Sequence, residues 1–147
     1  MESTLAAEIF INLHELVHLF RDRIRKALEA VHPELTFNEM RVLMRVGQHA
    51  GMTQKDLVER SHTDKAQMAR LLAQLEARGW LTRTPSDHDK RVRCLALSTE
   101  GKRLFNTLRK VQERAASEVL QDCPVATQKE FLHLILAVTS STHHKIA

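Results

Sequence analysis

His14-Glu15-Leu16-Val17-His18 matches H-E-x-x-H. In that pattern two helical histidines one turn apart hold a zinc ion, and the glutamate acts as general base in peptide hydrolysis. The chemistry needs more than two imidazoles: a third ligand, an open coordination position and a cleft for substrate. Cys94 and Cys123 stand at no metal-ligand spacing. Arg21 and Arg25 continue the His14 and His18 ridge of the same helix, and their charges oppose a dication. Nine histidines in 147 residues also make a fortuitous match more frequent. We therefore expect no metal site and no protease. No G-x-S-x-G, P-loop or dinucleotide fingerprint occurs, so neither an enzyme nor a cofactor is expected.

A second set of residues suits a different chemistry. Residues 60–93 hold eight Lys and Arg against four Asp and Glu, while the rest of the chain balances at fourteen of each. The whole net charge of +4 thus sits in one contiguous third, as an anion-binding face requires. Within it, Thr63, Gln67, Arg70 and Gln74 fall together on one side of a helix that also carries Lys65, opposite Met68, Leu71, Leu72 and Leu75. Arg pairs well with guanine and Gln with adenine, although such a row alone reads equally as a solvated face. Further on, His88, Lys90, Arg91 and Arg93 lie within six residues, interleaved with Asp89. A protruding loop bearing Arg suits a narrow minor groove. Asp89, two residues before Arg91, could orient its guanidinium through a bidentate pair; the bland alternative is a weak surface salt bridge. Basic helix and basic hairpin in this order point to duplex DNA. RNA readers stack bases on exposed aromatics, whereas this chain has five Phe, one Trp and no Tyr. A non-DNA interaction module of the same fold stays open.

The elements that must position these residues can be read from periodicity. Apolar side chains at Leu5, Ile9, Leu13, Leu16, Phe20, Ile24, Ala27 and Val31 make a long amphipathic helix over 4–31, ended by His32-Pro33. Thr36-Phe37-Asn38-Glu39 reads as a reciprocal capping box, opening a helix with Phe37, Met40, Leu43, Met44 and Gly47 on one face. Thr53 caps a short third helix with Leu57 and Val58 inward, and a fourth runs from near Thr63 to Gly79, a natural residue to follow a helix end. Residues 80–84 and 91–97 have strand composition around the polar loop 85–90, giving a β-hairpin. Ser98 or Thr99 caps a long helix through Leu104, Leu108, Val111, Ala115 and Val119, broken at Cys123-Pro124. A last helix carries Phe131, Leu132, Ile135 and Val138. With 43% hydrophobic and 27% charged residues and no long apolar run, the composition is that of a soluble globular protein of the cytoplasm.

The stretch from Leu35-Thr36 through Leu71-Leu72-Ala73-Gln74-Leu75-Glu76-Ala77-Arg78-Gly79-Trp80-Leu81 and Asp87-His88-Asp89-Lys90-Arg91 to Leu95-Ala96-Leu97-Ser98-Thr99-Glu100-Gly101 resembles the MarR (multiple antibiotic resistance regulator) family. Its most specific pieces are L-x-x-L-x-x-x-G-W-L, then D-x-R, then L-x-L-[ST]-x-E-G, in that order and spacing. The resemblance implies a mainly α chain with a small β-hairpin wing, taken as one domain over 1–147. A winged helix-turn-helix lobe would span 36–97, flanked by dimerisation helices over 4–32 and 98–144. It further implies a homodimeric transcription factor, most often a repressor, on a pseudo-palindromic duplex operator, with Thr63, Gln67 and Arg70 on the recognition helix and Asp89 with Arg91 in the wing. Many members are released by small anionic aromatic effectors. His14, His18 and Arg21 are candidates for such a ligand, since the first helix borders the family's effector pocket and Arg offers a bidentate fork to a carboxylate; a solvated polar ridge is the alternative. Peroxide-sensing members place a cysteine early in the first helix, where this chain has none. A thiol- or metal-responsive regulator of the same fold stays as an alternative, with Cys94 and Cys123 its only thiols.

Overall fold

The computed structural model describes residues 3–61 and 63–146. The described elements are α1 (Leu5–Val31), α2 (Phe37–Gln48), α3 (Gln54–Ser61), α4 (Lys65–Ala77), β1 (Leu81–Pro85), β2 (Arg93–Leu97), α5 (Thr99–Val119) and α6 (Val125–Ile146). Two compact units form, one of Ile24–Glu113 and the other of the residues up to Arg23 with those from Arg114 onward, so α1 and α5 each contribute to both.

Helix starts follow side-chain caps, with two differences from expectation. At α2 the Thr36 hydroxyl accepts from the Glu39 N–H at 3.1 Å, but the return half of the box does not form. The Glu39 carboxylate instead takes an N–H from the Arg78 guanidinium at 2.6 Å, because a charge-assisted bond outcompetes a neutral amide donor. The reciprocal box sits at α3: Thr53 N–H donates to Asp56 Oδ2 at 2.9 Å, and Asp56 N–H donates to Thr53 Oγ1 at 3.1 Å. At α4 the cap is Asp64, which accepts from Gln67 N–H at 2.8 Å. Thr63, expected on this helix, therefore lies in the turn before α4 and not on it. Asp outcompetes Thr here because a carboxylate also complements the positive end of the helix dipole.

The Asp56 box carries a pH dependence. The Thr53 backbone N–H, then the Thr53 hydroxyl, hold the Asp56 carboxyl below its ordinary value of 3.8, with Arg60 and Lys55 adding to the effect and burial opposing it. A folded-state value below the unfolded one contributes stability that is present above the unfolded pKa and lost as pH falls through the folded one. Asp56→Asn keeps the hydrogen-bond acceptor but not the charge. Its melting temperature is expected below that of wild type at neutral pH, with the gap closing as pH drops past 3.8; a gap that does not change with pH would refute the assignment.

The helix-turn-helix closes around a leucine-rich core. Leu43, Leu57, Met68, Leu72, Leu75, Leu81, Leu95 and Leu108 are all within 2% of complete burial. Helix α4 ends as the sequence suggests: Trp80 N–H reaches Leu75 C=O at 3.1 Å and Gly79 N–H reaches Glu76 C=O at 3.0 Å. Gly79 takes a φ of 80°, a left-handed conformation that costs glycine nothing. The chain then enters the antiparallel hairpin in the register Leu81↔Leu97, Arg83↔Leu95 and Pro85↔Arg93, with Leu81, Leu95 and Leu97 pointing into the core. Thr53 bridges to Cys94, and Leu95 N–H donates to Met52 C=O at 2.7 Å, so the hairpin is pinned to the start of α3. Ser98 caps α5, accepting from Gly101 N–H at 3.0 Å. At the far end Gln128 donates to Cys123 C=O at 2.8 Å as the chain turns from α5 into α6.

The expected apolar stripe of α1 is only partly buried. Ile24 and Leu28 are enclosed, whereas Leu5 is 74% and Ile9 49% exposed. On α6, Phe131, Leu132, Leu134, Ile135, Leu136 and Val138 are all exposed. Periodicity identifies the helix, but it does not say whether the covering surface lies within the same chain.

Candidate nucleic-acid interface

Burial of Met68, Leu72 and Leu75 turns Gln67, Arg70 and Gln74 outward along α4. Together with Thr63 they line a hollow of about 470 Å³, whose facing side is Arg41, Arg45 and Asn38 of α2. The sequence row is thus brought together, Thr63 joining it from the capping turn. Leu71, read as core, is half-buried and also lines this hollow. Arg41 and Arg45 were not among the candidates. The available signal was their spacing of four between the buried Met40, Leu43 and Met44, which puts two guanidinium groups on the face of α2 away from the core.

A second hollow of about 610 Å³ lies between α3, the start of α4 and the hairpin. Lys65, Arg91 and Arg93 meet there, joined by Lys55 and Arg83. His88, Asp89 and Lys90 are exposed at the loop tip and line neither hollow. The loop is tightly tied: Ser86 N–H donates to Val92 C=O at 2.8 Å and Val92 N–H to Asp89 C=O at 3.0 Å, while His88 N–H donates to Ser86 Oγ at 3.2 Å. Asp89 Oδ1 accepts the backbone N–H of Arg91 at 3.0 Å, not its guanidinium. The expected bidentate pair is replaced by an Asx turn, since a side chain two residues back reaches the main chain more easily than the end of a long Arg. Asp89 therefore fixes the path of the loop and leaves the Arg91 charge uncommitted.

That distinction runs through the cations of this unit. Arg78, Arg83, Arg103 and Arg109 each pair with a glutamate within 4.0 Å. Among the described residues, Arg41, Arg45, Lys65, Arg70, Arg91 and Arg93 form no ion pair. Of the cations that line the two hollows, these six are left unneutralised, whereas Arg83 is paired with Glu76 at 2.8 Å and Lys55 stands 4.0 Å from Glu59.

In the other unit, His14, His18 and Arg21 are exposed along α1 at spacings of four and three, which makes one ridge. The apolar hollows there are lined by Leu16, Val17 and Phe20 with α5, and by Leu16 and Leu120 with α6, a different face of α1 from the ridge. Among the described residues, no three His, Cys, Asp or Glu side chains gather closely enough to hold a metal ion. Cys94 and Cys123 are half-buried free thiols.

A family model described as the MarR family matches residues 34–92. The transcriptional regulator HosA from Escherichia coli is 27% identical over 122 residues, covering 83% of this chain and 90% of that protein. The crystal structure of wild-type MarR in its apo form, from E. coli, superposes with a TM-score of 0.76 at 19% identity, over 94% of this chain and 98% of that one. CouR from Rhodococcus jostii RHA1, crystallised bound to p-coumaroyl-CoA, gives a TM-score of 0.75 at 22% identity, over 93% and 95% of the two chains.

Proposed function

We propose that the chain is a transcriptional regulator of the MarR family, whose model matches residues 34–92, and that it binds duplex DNA sequence-specifically, as a homodimer on a pseudo-palindromic operator, and acts as a repressor. The observation that carries the reading is the set of unneutralised cations, Arg41, Arg45, Lys65, Arg70, Arg91 and Arg93, gathered around α4 and the wing. Helix α4 enters the major groove, where Gln67 and Arg70 read base edges, and the wing lays Arg91 against the minor groove. Phosphate contacts set register without reading sequence.

A second copy accounts for the apolar side chains that α1 and α6 leave uncovered. Patches of that kind on soluble proteins mark association surfaces, and two-fold pairing would space half-site centres about one helical turn apart. No described helix is long and apolar enough to cross a membrane, and the regulator works in the cytoplasm, where its operator lies. Release by a small anionic aromatic effector completes the proposal. CouR was crystallised with an aromatic acyl-CoA, and His14, His18 and Arg21 supply two imidazoles and a guanidinium. Such a ligand releases DNA only by binding the DNA-incompetent state more tightly.

Sequencing of genomic fragments retained by the immobilised protein tests the reading, followed by binding measurements on the enriched duplex. Arg91→Ala is expected to weaken binding by about 1–3 kcal/mol with little change in melting temperature. Gln67→Ala and Arg70→Ala should alter the preferred bases, while Lys90→Ala weakens all duplexes alike. No enrichment of any fragment over bulk DNA would sink the proposal.

A further inference from the structure

The hollow between α2 and α4 asks for an occupant that base reading does not supply. At 3.6 residues per turn Lys65 lies roughly opposite Gln67, Arg70 and Gln74 around the axis of α4. The hollow lined by Lys65 with Arg91 and Arg93 and the hollow lined by Gln67, Arg70 and Gln74 with Arg41 and Arg45 therefore border α4 along different sides. A helix in the major groove has a sugar–phosphate strand on each side of it. The wing side has its cations. On the other side, α2 presents Arg41 and the half-buried Arg45 one turn apart, with no carboxylate partner among the described residues.

We propose that Arg41 and Arg45 are phosphate-anchoring residues, which hold the DNA strand on the side of α4 away from the wing and so fix how α4 lies in the groove. This rests on the DNA-binding reading above and assigns α2 a part in it. The chemistry fits. Guanidinium groups bind phosphate through paired N–H bonds, and Thr36 and Asn38 in the same hollow offer a hydroxyl and an amide donor of the kind usual at phosphates. Arg45 is half-buried and lines the same hollow as the exposed Arg41. Arg41 and Arg45 carry charge but not sequence information, since a phosphate is the same beneath every base.

The test is the salt dependence of binding to the enriched operator by the full-length protein. Removing one phosphate-binding cation lowers the slope of log K against log salt by about 0.9. Arg41→Ala and Arg45→Gln should each bind more weakly at low salt. Each should close on wild type by about 3.5-fold between 50 and 200 mM salt, which is that slope change over this interval. Base preference on randomised duplexes should be unaltered. Arg45→Lys keeps a point charge and should retain most of the slope. Arg109→Ala removes a cation that is already paired with Glu113 and should change nothing. Wild-type slopes in both Arg41→Ala and Arg45→Gln, with DNA binding intact, would overturn the proposal while leaving the DNA-binding reading in place. An altered base preference would overturn it in favour of base contact. Failure of the wild type to bind any duplex would instead remove the reading on which it rests.

Discussion

Gly101→Ala is expected to cost about 3 kcal/mol or more, lowering the melting temperature by roughly 6–12 °C for a chain of this size. Gly101 stands in the first turn of α5, packed against the strand that begins the hairpin. A Cβ built on it would lie 2.0 Å from the Trp80 carbonyl oxygen and 2.9 Å from the Trp80 carbonyl carbon. Both obstacles are backbone, so no rotamer change relieves the clash. The Trp80 carbonyl is itself fixed, accepting from Ser98 N–H at 3.0 Å, and the Ser98 hydroxyl bonds the neighbouring Gly79 carbonyl. Relief requires α5 to move off the hairpin and break those bonds. Ser98→Ala separates the two causes: it deletes the cap but adds no atom, and should cost only about 1 kcal/mol. Denaturant unfolding of both variants checks the ranking. Equal losses would mean that capping, not the close approach of two backbones, accounts for this glycine.

That geometry gives physical content to much of what could be read beforehand. In L-x-x-L-x-x-x-G-W-L, the residues Leu72, Leu75 and Leu81 are core and Gly79 is the left-handed exit from α4. In L-x-L-[ST]-x-E-G, Leu95 and Leu97 face inward, Ser98 caps α5 and Gly101 admits the Trp80 carbonyl. Local rules of period, cap and turn therefore placed every helix and the hairpin to within a few residues. The misses are choices of partner. Thr36-x-x-Glu39 has the form of a capping box, yet Glu39 bonds Arg78, 39 residues away, and spacing carries no trace of that contact. Asp89-x-Arg91 has the form of a side-chain ion pair, yet the bond goes to the main chain. Arg41 and Arg45 were not singled out because α2 lies outside the basic third, and only the fold brings them opposite α4. Composition windows find charge that clusters along the chain; charge that clusters across helices stays hidden.

Arg78→Ala is expected to destabilise the protein by about 2 kcal/mol, more than Glu39→Gln, which should cost under about 1 kcal/mol. The asymmetry follows from burial. The Glu39 side chain is 6% exposed, and Arg78, 2.6 Å away, is 37% exposed. Removing the arginine leaves a carboxylate in the interior without its partner, the costly way to break such a pair, although the partial exposure of Arg78 keeps the figure below that of a fully enclosed pair. Removing the acid's charge leaves a guanidinium that already reaches water and still accepts the ring of Trp80, 5.3 Å beneath it. The double variant Arg78→Ala with Glu39→Gln should therefore lose less than the sum of its parts, because a neutral amide in place of the carboxylate relieves the stranded charge. Additive losses would show that the pair is not coupled. The contact also bears on function. Glu39 begins α2, and Arg78 caps the end of α4 through its N–H to Gln74 C=O, so the bond sets the separation of the two helices whose facing sides form the hollow of Arg41 and Arg70. Arg78→Ala should accordingly weaken operator binding at temperatures where the variant is still fully folded, an effect that loss of global stability alone would not produce.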